Sequence, residues 1–229
     1  MNTLPMGEPK ERVARAGSPR GEVVLLRRDA DDALELRVNG VFVMDTVHTE
    51  TERLLATATL DAVLADDRPA RVLIGGLGLG FTLREVVADR RVSSVEVVEI
   101  EPSIVEWHRA GLVGETAAAL ADERVRVSVG DVQDVLAAHP AACTDVLLLD
   151  VDNGPGFLVH DSNAAVYRRE FLALCREKIA PGGCLAIWSA SGSPELNTAL
   201  REVFGNCREI AVPVPLGTRT TTYHLFLAR

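Results

Sequence analysis

The stretch Val72-Leu73-Ile74-Gly75-Gly76-Leu77-Gly78-Leu79-Gly80 places a glycine-rich loop directly after a short apolar run, and a helical pattern begins at Phe81. A continuous apolar run of this length is typical of a strand that is buried on both faces. Glycines after such a strand let the backbone turn tightly and approach a ligand closely. The order of strand, glycine loop and helix therefore predicts a ligand-binding unit of an α/β fold.

The spacing of the glycines argues against a dinucleotide fingerprint. Gly-x-Gly-x-x-Gly counted from Gly76 needs a glycine where Phe81 stands, and counted from Gly78 it needs one where Leu83 stands. The pattern that remains is Gly76-x-Gly78-x-Gly80, which we expect to cradle a ligand. A nicotinamide-dependent dehydrogenase stays as a weaker alternative.

Outward from the loop, short β-branched runs alternate with helical stretches. Strands are predicted at 71–74, 95–100, 125–129, 146–149 and 185–188, and helices at 81–89, 102–110, 163–179 and 194–204. This alternation predicts a parallel sheet covered by helices on both faces. Residues 209–213 and 222–228 are separated only by a turn, which predicts a closing antiparallel pair.

The N-terminal part is expected to form a module of its own. Residues 1–20 are rich in Pro, Gly and Arg and predict a flexible tail. Residues 21–65 predict a β-hairpin module with a linking helix, because Asn39-Gly40 between two alternating runs is a strong hairpin signal. Residues 66–229 then form the ligand-binding α/β domain.

The linking helix is expected to begin with a capping box. Thr49 is followed three residues later by Glu52, the pattern in which the two side chains cap the first backbone amides of a helix. Behind them, apolar residues recur at helical spacing and predict the buried face: Leu54, Leu55, Ala58 and Ala62.

Composition narrows the possible partners. The 24 Lys and Arg against 33 Asp and Glu give a net charge of −9, which disfavours phosphate backbones and anionic membrane surfaces. Only 4% of the residues are aromatic, so few side chains are available to stack on single-stranded bases. The four cysteines and five histidines show no metal-ligand spacing. We expect a cytoplasmic protein with no metal and no nucleic-acid or membrane partner.

Two acidic residues end the strands that follow the loop. Glu99 comes 23 residues after Gly76, close to the separation at which a carboxylate reaches the hydroxyls of a ribose. Asp131 ends the third strand, where a carboxylate can accept a hydrogen bond from an adenine amino group or can cap the helix that follows. The three strand ends together indicate an adenosyl ligand at the carboxyl edge of the sheet.

These residues resemble the class I S-adenosylmethionine-dependent transferases, and within them the spermidine synthase-like branch. The similarity covers about residues 34–228 and is most specific from Ile74 to Val86 and in Val98-Glu99-Ile100-Glu101. The resemblance implies a Rossmann-like class I methyltransferase fold. This fold has a seven-stranded, mostly parallel sheet with a reversed last strand, preceded by a small N-terminal β-hairpin module. The resemblance also implies that Glu99 holds the ribose, Ile100 lies against the adenine and Asp131 meets its amino group.

The departures from that branch leave the reaction open. Aminopropyltransferases carry an Asp inside the glycine loop that faces the amine of decarboxylated S-adenosylmethionine, where this chain has Gly78. Gly78 would not repel the carboxylate of ordinary S-adenosylmethionine. The hairpin motif Asp-Gly-x-x-Gln is replaced by Asn39-Gly40-Val41-Phe42-Val43, and a Tyr-His-Glu motif has no match around residues 50–55. Transfer of a methyl or an aminopropyl group to a small amine is expected, with a non-catalytic nucleoside sensor or scaffold as the alternative.

The acceptor site is expected after the fourth parallel strand. Asp150 matches the catalytic acid of the resembled branch, and Asp152 follows it in the same turn. A carboxylate can bind an ammonium group and then accept its proton. His160, Tyr167 and Trp188 are candidates for lining the acceptor pocket. By the same resemblance, the hairpin module is a candidate surface for a homodimer.

Overall fold

The apolar runs form two β-sheets, and this computed structural model describes residues 10–64, 68–156, 158, 161–216 and 219–229. The strands are β1 (Lys10–Ser18), β2 (Gly21–Arg28), β3 (Leu34–Val38), β4 (Val41–Asp45), β5 (Ala70–Gly75), β6 (Val92–Glu99), β7 (Val125–Val129), β8 (Thr144–Leu149), β9 (Ile179–Ser189), β10 (Arg208–Leu216) and β11 (Arg219–Ala228). The helices are α1 (Glu50–Val63), α2 (Phe81–Ala88), α3 (Pro102–Arg109), α4 (Ala117–Leu120), α5 (Val132–Ala138), α6 (Arg169–Lys178) and α7 (Pro194–Phe204). Short 3-10 helices cover Gly114–Thr116 and Asp161–Tyr167.

The larger sheet has the predicted mostly parallel arrangement. Its strand order is β10-β11-β9-β8-β5-β6-β7, and β5 to β9 pair in parallel. The last strand of the chain, β11, runs antiparallel to both β9 and β10, so the predicted reversed last strand is confirmed. Because the chain moves outward from β5 to β7 and then returns to β8, the order reverses between β5 and β8, where open α/β sheets bind their ligands.

The N-terminal sheet is larger than the sequence predicted. Its four strands pair antiparallel in the order β1-β2-β3-β4, with the predicted hairpin between β3 and β4 at Asn39-Gly40. The prediction of a flexible tail over residues 1–20 was wrong for residues 10–18, which form β1 and pair with β2 from Lys10 opposite Arg28 to Ser18 opposite Gly21. A β-bulge between Arg12 and Ala14 breaks the alternation that would have revealed this strand. Residues 1–9 lie outside the described residues.

The linking helix α1 is in the predicted place but is turned differently. Thr49 occupies the N-cap position without a side-chain capping bond, so the predicted capping box with Glu52 was wrong. The buried residues of α1 are Thr51, Glu52, Leu55, Ala56, Thr59, Leu60 and Val63. This stripe packs α1 against α2, β8 and β9, and it carries Glu52 towards the larger sheet.

Two other boundaries differ from the prediction. The helix expected over 163–179 is divided into the 3-10 helix Asp161–Tyr167 and α6, because Arg168 between them has an extended backbone. The strand β9 begins at Ile179, directly after α6, and includes Pro181-Gly182-Gly183, so the strand predicted at 185–188 starts earlier than expected.

The core of the larger domain lies on both faces of the sheet. Ile74 of β5 and Leu148 of β8 face one side, and Leu147 and Leu149 face the other, all fully buried. Burial on both faces explains why these strands read as continuous apolar runs. Among the described residues, no helix combines the length and the apolar character needed to cross a bilayer.

Candidate active site

A cavity of about 120 Å³ opens where β5, β6, β7 and β8 end, at the reversal of strand order. Most of the residues that the sequence singled out line it: Gly76, Gly78, Glu99, Ile100, Asp131, Asp150, Asp152 and Trp188. Gly80 and Tyr167 are not among the lining residues. His160 lies outside the described residues.

The glycine loop forms one wall of this cavity, and two of its glycines are required by close contacts. Gly76 has a φ of +91°, and a Cβ at this position would lie 2.1 Å from the backbone oxygen of Asp150. Gly78 has a φ of +50°, and its Cβ would lie 2.6 Å from the sulfur of Met44. A side chain at Gly76 would collide with backbone, and at Gly78 the left-handed backbone and the Met44 side chain both oppose one, so the loop packs directly against the turn after β8 and against β4.

Glu99 holds the loop in place from the end of β6. Its Oε2 accepts a hydrogen bond from the amide of Leu77 at 2.8 Å, and its Oε1 accepts one from the amide of Glu101 at 2.8 Å. Burial raises the pKa of Glu99 above its ordinary value, and these backbone amides oppose that rise by stabilising the carboxylate. Each carboxylate oxygen has a second lone pair, so a ribose hydroxyl can still donate to Glu99.

Asp131 caps α5 at the far end of the cavity. Its Oδ1 accepts a hydrogen bond from the amide of Gln133 at 2.9 Å, which is the helix-capping role that the sequence left open. Its Oδ2 lies 3.8 Å from Nη2 of Arg20, a residue of the β1–β2 turn that also lines the cavity. The same turn is tied to the larger domain by the hydroxyl of Ser18, which donates to Glu101 at 3.1 Å. The N-terminal sheet therefore closes this end of the cavity.

Asp150 lies at the opposite end, directly after β8. Its Oδ2 accepts a hydrogen bond from the hydroxyl of Thr82 at 2.9 Å. Burial raises the pKa of Asp150 to about 6, and the Thr82 hydroxyl opposes the rise. A carboxyl group with this pKa changes its protonation state close to neutral pH.

Asp152 organises the turn that follows. Its Oδ1 accepts from the amide of Asn153 at 2.7 Å, and its Oδ2 accepts from Nδ2 of Asn163 at 2.6 Å. Asp152 is 7% exposed. These bonds connect the turn after β8 to the 3-10 helix that contains Tyr167. Tyr167 itself is buried behind this turn, and burial with the charge of Asp152 raises its pKa.

A second acid, not predicted from the sequence as a site residue, lies near Asp150. Glu52 lines the cavity from α1 and is 5% exposed, although its sequence context suggested a helix cap. Burial, and after it the charge of Asp150, raises the pKa of Glu52 to about 8. In the described residues, neither carboxylate has an ion pair with a Lys or Arg side chain. The signal available in the sequence was the position of Glu52, which falls on the same helical stripe as Leu55, Ala56 and Leu60.

A second cavity of about 430 Å³ adjoins the first. The two share Val43, Met44, Glu52, Asn153 and Trp188 as lining residues. Trp188 and Tyr223 form a tilted aromatic pair on its wall, with ring centroids 5.0 Å apart. The arrangement provides an end formed by the glycine loop, an aromatic end and a pair of acids between them. No group of three or more His, Cys, Asp or Glu side chains is placed to hold a metal ion in the part of the chain that the structure describes.

Comparisons with known proteins agree with this arrangement. A family model described as "Spermine/spermidine synthase domain" matches residues 48–223. Polyamine aminopropyltransferase 2 of Pseudomonas aeruginosa is 32% identical over 165 residues, covering 67% of this chain and 45% of that protein. Polyamine aminopropyltransferase of Mycobacterium tuberculosis is 28% identical over 216 residues, covering 93% of this chain and 38% of that protein. The chain thus spans less than half the length of these curated relatives.

Among solved structures, a spermidine synthase in complex with the transition state analogue AdoDATO superposes with a TM-score of 0.80. The superposition covers 95% of this chain and 73% of that chain, at 17% sequence identity. Agreement at this level of identity establishes a shared fold. The predicted fold class is therefore confirmed.

Proposed function

The chain belongs to the spermine/spermidine synthase family, and from this premise we propose that it transfers an aminopropyl group from decarboxylated S-adenosylmethionine to a small amine. The observation that supports this proposal is that a glycine loop and a pair of acids line the same cavity. A glycine cradle anchored by Glu99 lies at one end, and Asp150 and Glu52, without a cationic partner among the described residues, lie at the other. An ammonium group is the natural counterion for two buried carboxylates.

In this proposal the glycine loop, Glu99, Ile100 and Asp131 hold the nucleoside of the donor. The donor supplies a sulfonium, whose adjacent carbon is open to attack and whose sulfur leaves as a neutral thioether. Asp150 and Asp152 bind the amine near that carbon, and Asp150 accepts or relays its proton. Holding the nitrogen and the carbon together in a site with little water contributes more to the rate than proton removal alone.

Trp188 has a supporting role in the same proposal. Its ring lines both cavities, and the Trp188–Tyr223 pair provides an aromatic wall for the alkyl chain of an amine. A cation close to such rings is also stabilised by their negative faces. His160 and Tyr167 remain candidates for the acceptor site.

The names of the relatives favour catalysis over the alternative of a nucleoside sensor or scaffold, and aminopropyl transfer over methyl transfer. One observation favours methyl transfer as a second candidate. The loop from Gly76 to Gly80 contains only Gly and Leu, so it has no acid to receive the amine of the decarboxylated donor. The donor with a carboxylate would meet no negative side chain from the loop itself.

The two candidates differ in the nucleoside that they release, so one experiment decides between them. The chain is incubated with either decarboxylated S-adenosylmethionine or S-adenosylmethionine and a panel of diamines and monoamines, and the products are separated by chromatography. Methylthioadenosine and an aminopropylated amine are expected. S-adenosylhomocysteine with a methylated amine would overturn aminopropyl transfer, and no nucleoside product from either donor would favour the non-catalytic alternative.

We also propose a homodimer that forms through the N-terminal sheet, in a cytoplasmic protein. The edge strand β4 carries Phe42, which is 40% exposed, and Val47 just beyond it is 45% exposed. An edge strand with apolar side chains is a common pairing surface. The thiols of Cys143, Cys175, Cys184 and Cys207 are all free, as expected in a reducing compartment. Light scattering of the wild-type chain and of Phe42→Lys tests the dimer, because a charge at this edge should yield monomers.

A further inference from the structure

Glu52 occupies the place where the two cavities meet. It lies in the first turn of α1 and is a lining residue of both the nucleoside cavity and the aromatic cavity. An amine that extends from one cavity into the other would therefore lie close to its carboxylate. The sequence made Asp150, by the family resemblance, and Asp152, by its place in the same turn, the candidates for the acceptor chemistry, and Glu52 was not among them.

A chain of hydrogen bonds fixes this carboxylate. The indole Nε1 of Trp188 donates to the hydroxyl oxygen of Thr51 at 3.0 Å, and the hydroxyl of Thr51 donates to Oε2 of Glu52 at 2.8 Å. Because an indole can only donate, it fixes Thr51 as its acceptor, and the single hydroxyl proton of Thr51 is directed to Glu52. Apart from Thr51, only the backbone amide of Glu52 itself donates to this carboxylate in the described part of the chain, so its oxygens keep lone pairs for a ligand.

Asp150 faces the same space from the end of β8. The hydroxyl of Thr82 that donates to Asp150 lies 3.3 Å from the backbone oxygen of Glu52, which places the two acids on either side of one threonine. Two buried like charges cannot both ionise at low cost, so near neutral pH one of them retains a proton. Burial raises the pKa of both carboxyl groups, and the charge of Asp150 raises the pKa of Glu52 further, so this proton is shared by the pair until an ammonium displaces it.

The other charged groups around Glu52 do not neutralise it. Asp45 of β4 adds a further negative charge that raises its pKa, and Arg28 is engaged by Asp31 and Asp45. His48 lies 3.3 Å from Asp45 and Tyr223 faces the cavity from β11. Within the described ranges, Glu52 and Asp150 therefore have no Lys or Arg as an ion-pair partner, whereas Asp45 is paired with Arg28.

We propose that Glu52 is a further catalytic residue of the acceptor site, which binds the attacking nitrogen as an ammonium together with Asp150 and takes its proton when the new bond forms. This inference rests on the proposed function. The nitrogen lone pair forms the N–C bond to the donor carbon next to sulfur, and the C–S bond breaks with its electron pair leaving on sulfur. One proton of the ammonium passes to Asp150 before the attack and frees this lone pair, and a second passes to Glu52 as the bond forms, so the nucleoside leaves as a neutral thioether and the product amine is neutral at that nitrogen. Thr51 is a positioning residue that acts through Glu52.

The first test compares Glu52→Gln with Glu50→Gln, a matched change at an exposed position two residues earlier in α1. We expect Glu52→Gln to lower kcat by about 100-fold or more, as loss of a proton acceptor does, while the affinity for methylthioadenosine in calorimetry stays unchanged. Glu50→Gln should behave as the wild-type chain. Activity of Glu52→Gln within about threefold of the wild-type value, in the range of the control, would overturn the role of Glu52.

A second test needs no turnover. 1,4-Diaminobutane is titrated into the chain with methylthioadenosine bound, in buffers of different ionisation enthalpy, to count protons released. The wild-type chain at pH 7 should release about one proton per amine bound, because the ammonium favours the ionised form of Glu52, and Glu52→Gln should release almost none. Equal release from both would overturn the proposal. Absence of transfer by the wild-type chain would overturn the proposed function, whereas this proton count would still decide the role of Glu52.

The relay to Trp188 is tested through the same proton count. Thr51→Val removes the hydroxyl that stabilises ionised Glu52, so the pH at which proton release is half-maximal should rise, and Thr51→Ser should restore it. An unchanged midpoint in Thr51→Val would show that Thr51 does not position Glu52.

Discussion

The amide of Leu77 donates a hydrogen bond of 2.8 Å to Oε2 of Glu99, so the acid at the end of β6 fixes the glycine loop that follows the neighbouring strand β5. The other oxygen of Glu99 receives the amide of Glu101. Glu99 thereby forms part of the wall to which a nucleoside would bind and also holds that wall in shape. The sequence had suggested a ribose contact for Glu99, and the loop-anchoring role was added by the structure.

The dual role of Glu99 predicts that Glu99→Gln loses both stability and ligand affinity. The amide nitrogen of Gln would face either the amide of Leu77 or that of Glu101, because both carboxylate oxygens accept from backbone N–H groups. A buried donor facing a donor should destabilise the fold by about 1–3 kcal/mol. Urea unfolding measures the stability and calorimetry with methylthioadenosine measures the affinity. Loss of affinity with unchanged stability would mean that Glu99 contacts only the ligand.

Asp150→Asn is expected to separate binding from chemistry. Asn keeps an oxygen that can accept from Thr82, so the fold and the nucleoside end should be preserved. Transfer should fall by about 100-fold or more, because Asn neither attracts the ammonium nor takes its proton. Single-turnover rates with decarboxylated S-adenosylmethionine measure this, and Asp134→Asn, an exposed position in α5, serves as the matched control. Weakened binding of methylthioadenosine by Asp150→Asn would instead place Asp150 at the donor.

The buried acids should make the chain less stable as the pH rises. The pKa of Glu52 in the folded state is about 8, above its ordinary value of 4.5, so the native state binds more protons than the unfolded state between these values. The favourable contribution of this group is complete below about pH 4.5 and is lost progressively as the pH rises through 8. Asp150, with its pKa raised to about 6, acts in the same direction at lower pH.

Replacement of Glu52 by Gln should therefore stabilise the chain at high pH relative to the wild type. The free energy of unfolding of Glu52→Gln minus that of the wild-type chain should be larger at pH 8.5 than at pH 5. We expect the increase to be about 1.4 kcal/mol or more, which corresponds to one pKa unit. Urea unfolding of both chains at the two pH values gives the four numbers needed. A difference that is the same at both pH values would mean that Glu52 titrates normally.

Much of the larger sheet was predictable because its strands are buried on both faces. Runs such as the one ending at Ile74 need no tertiary information to be recognised as strands, and the loop after it predicted the position of the cavity. The first strand was not predictable in this way. β1 contains small and charged residues, its alternation is interrupted by the bulge after Arg12, and it is held by pairing to β2. Such a strand owes its structure to its partner more than to its own side chains.

Glu52 and Arg20 show why the site was predicted only in part. The acids at the ends of β6, β7 and β8 could be located because the topology brings the carboxyl ends of parallel strands to one edge. Glu52 and Arg20 reach the same cavity from the N-terminal module, across contacts between distant parts of the chain. For Glu52, the pattern Thr49 to Glu52 suggested a local bond within the helix, and the burial of one helix face overrode it.

The contact between Gly78 and Met44 predicts how substitutions at these two positions change nucleoside binding. Met44 lies on β4, and its sulfur accepts a hydrogen bond from the amide of Leu79 at 3.2 Å while it occupies the space that a side chain at position 78 would need. Gly78→Ala should therefore weaken methylthioadenosine binding by about 10-fold or more, both because φ is +50° and because the new Cβ would lie 2.6 Å from that sulfur.

The double variant distinguishes these two causes. In Gly78→Ala combined with Met44→Ala the sulfur is absent, so the part of the loss that comes from the contact should be recovered, and the part that comes from the backbone should remain. Met44→Ala alone is the control, and it leaves the Leu79 amide without its sulfur acceptor at modest cost. Calorimetric affinities for the four chains complete the cycle. If the double variant binds no better than Gly78→Ala, the left-handed backbone alone requires glycine at this position, and Met44 does not shape the donor end.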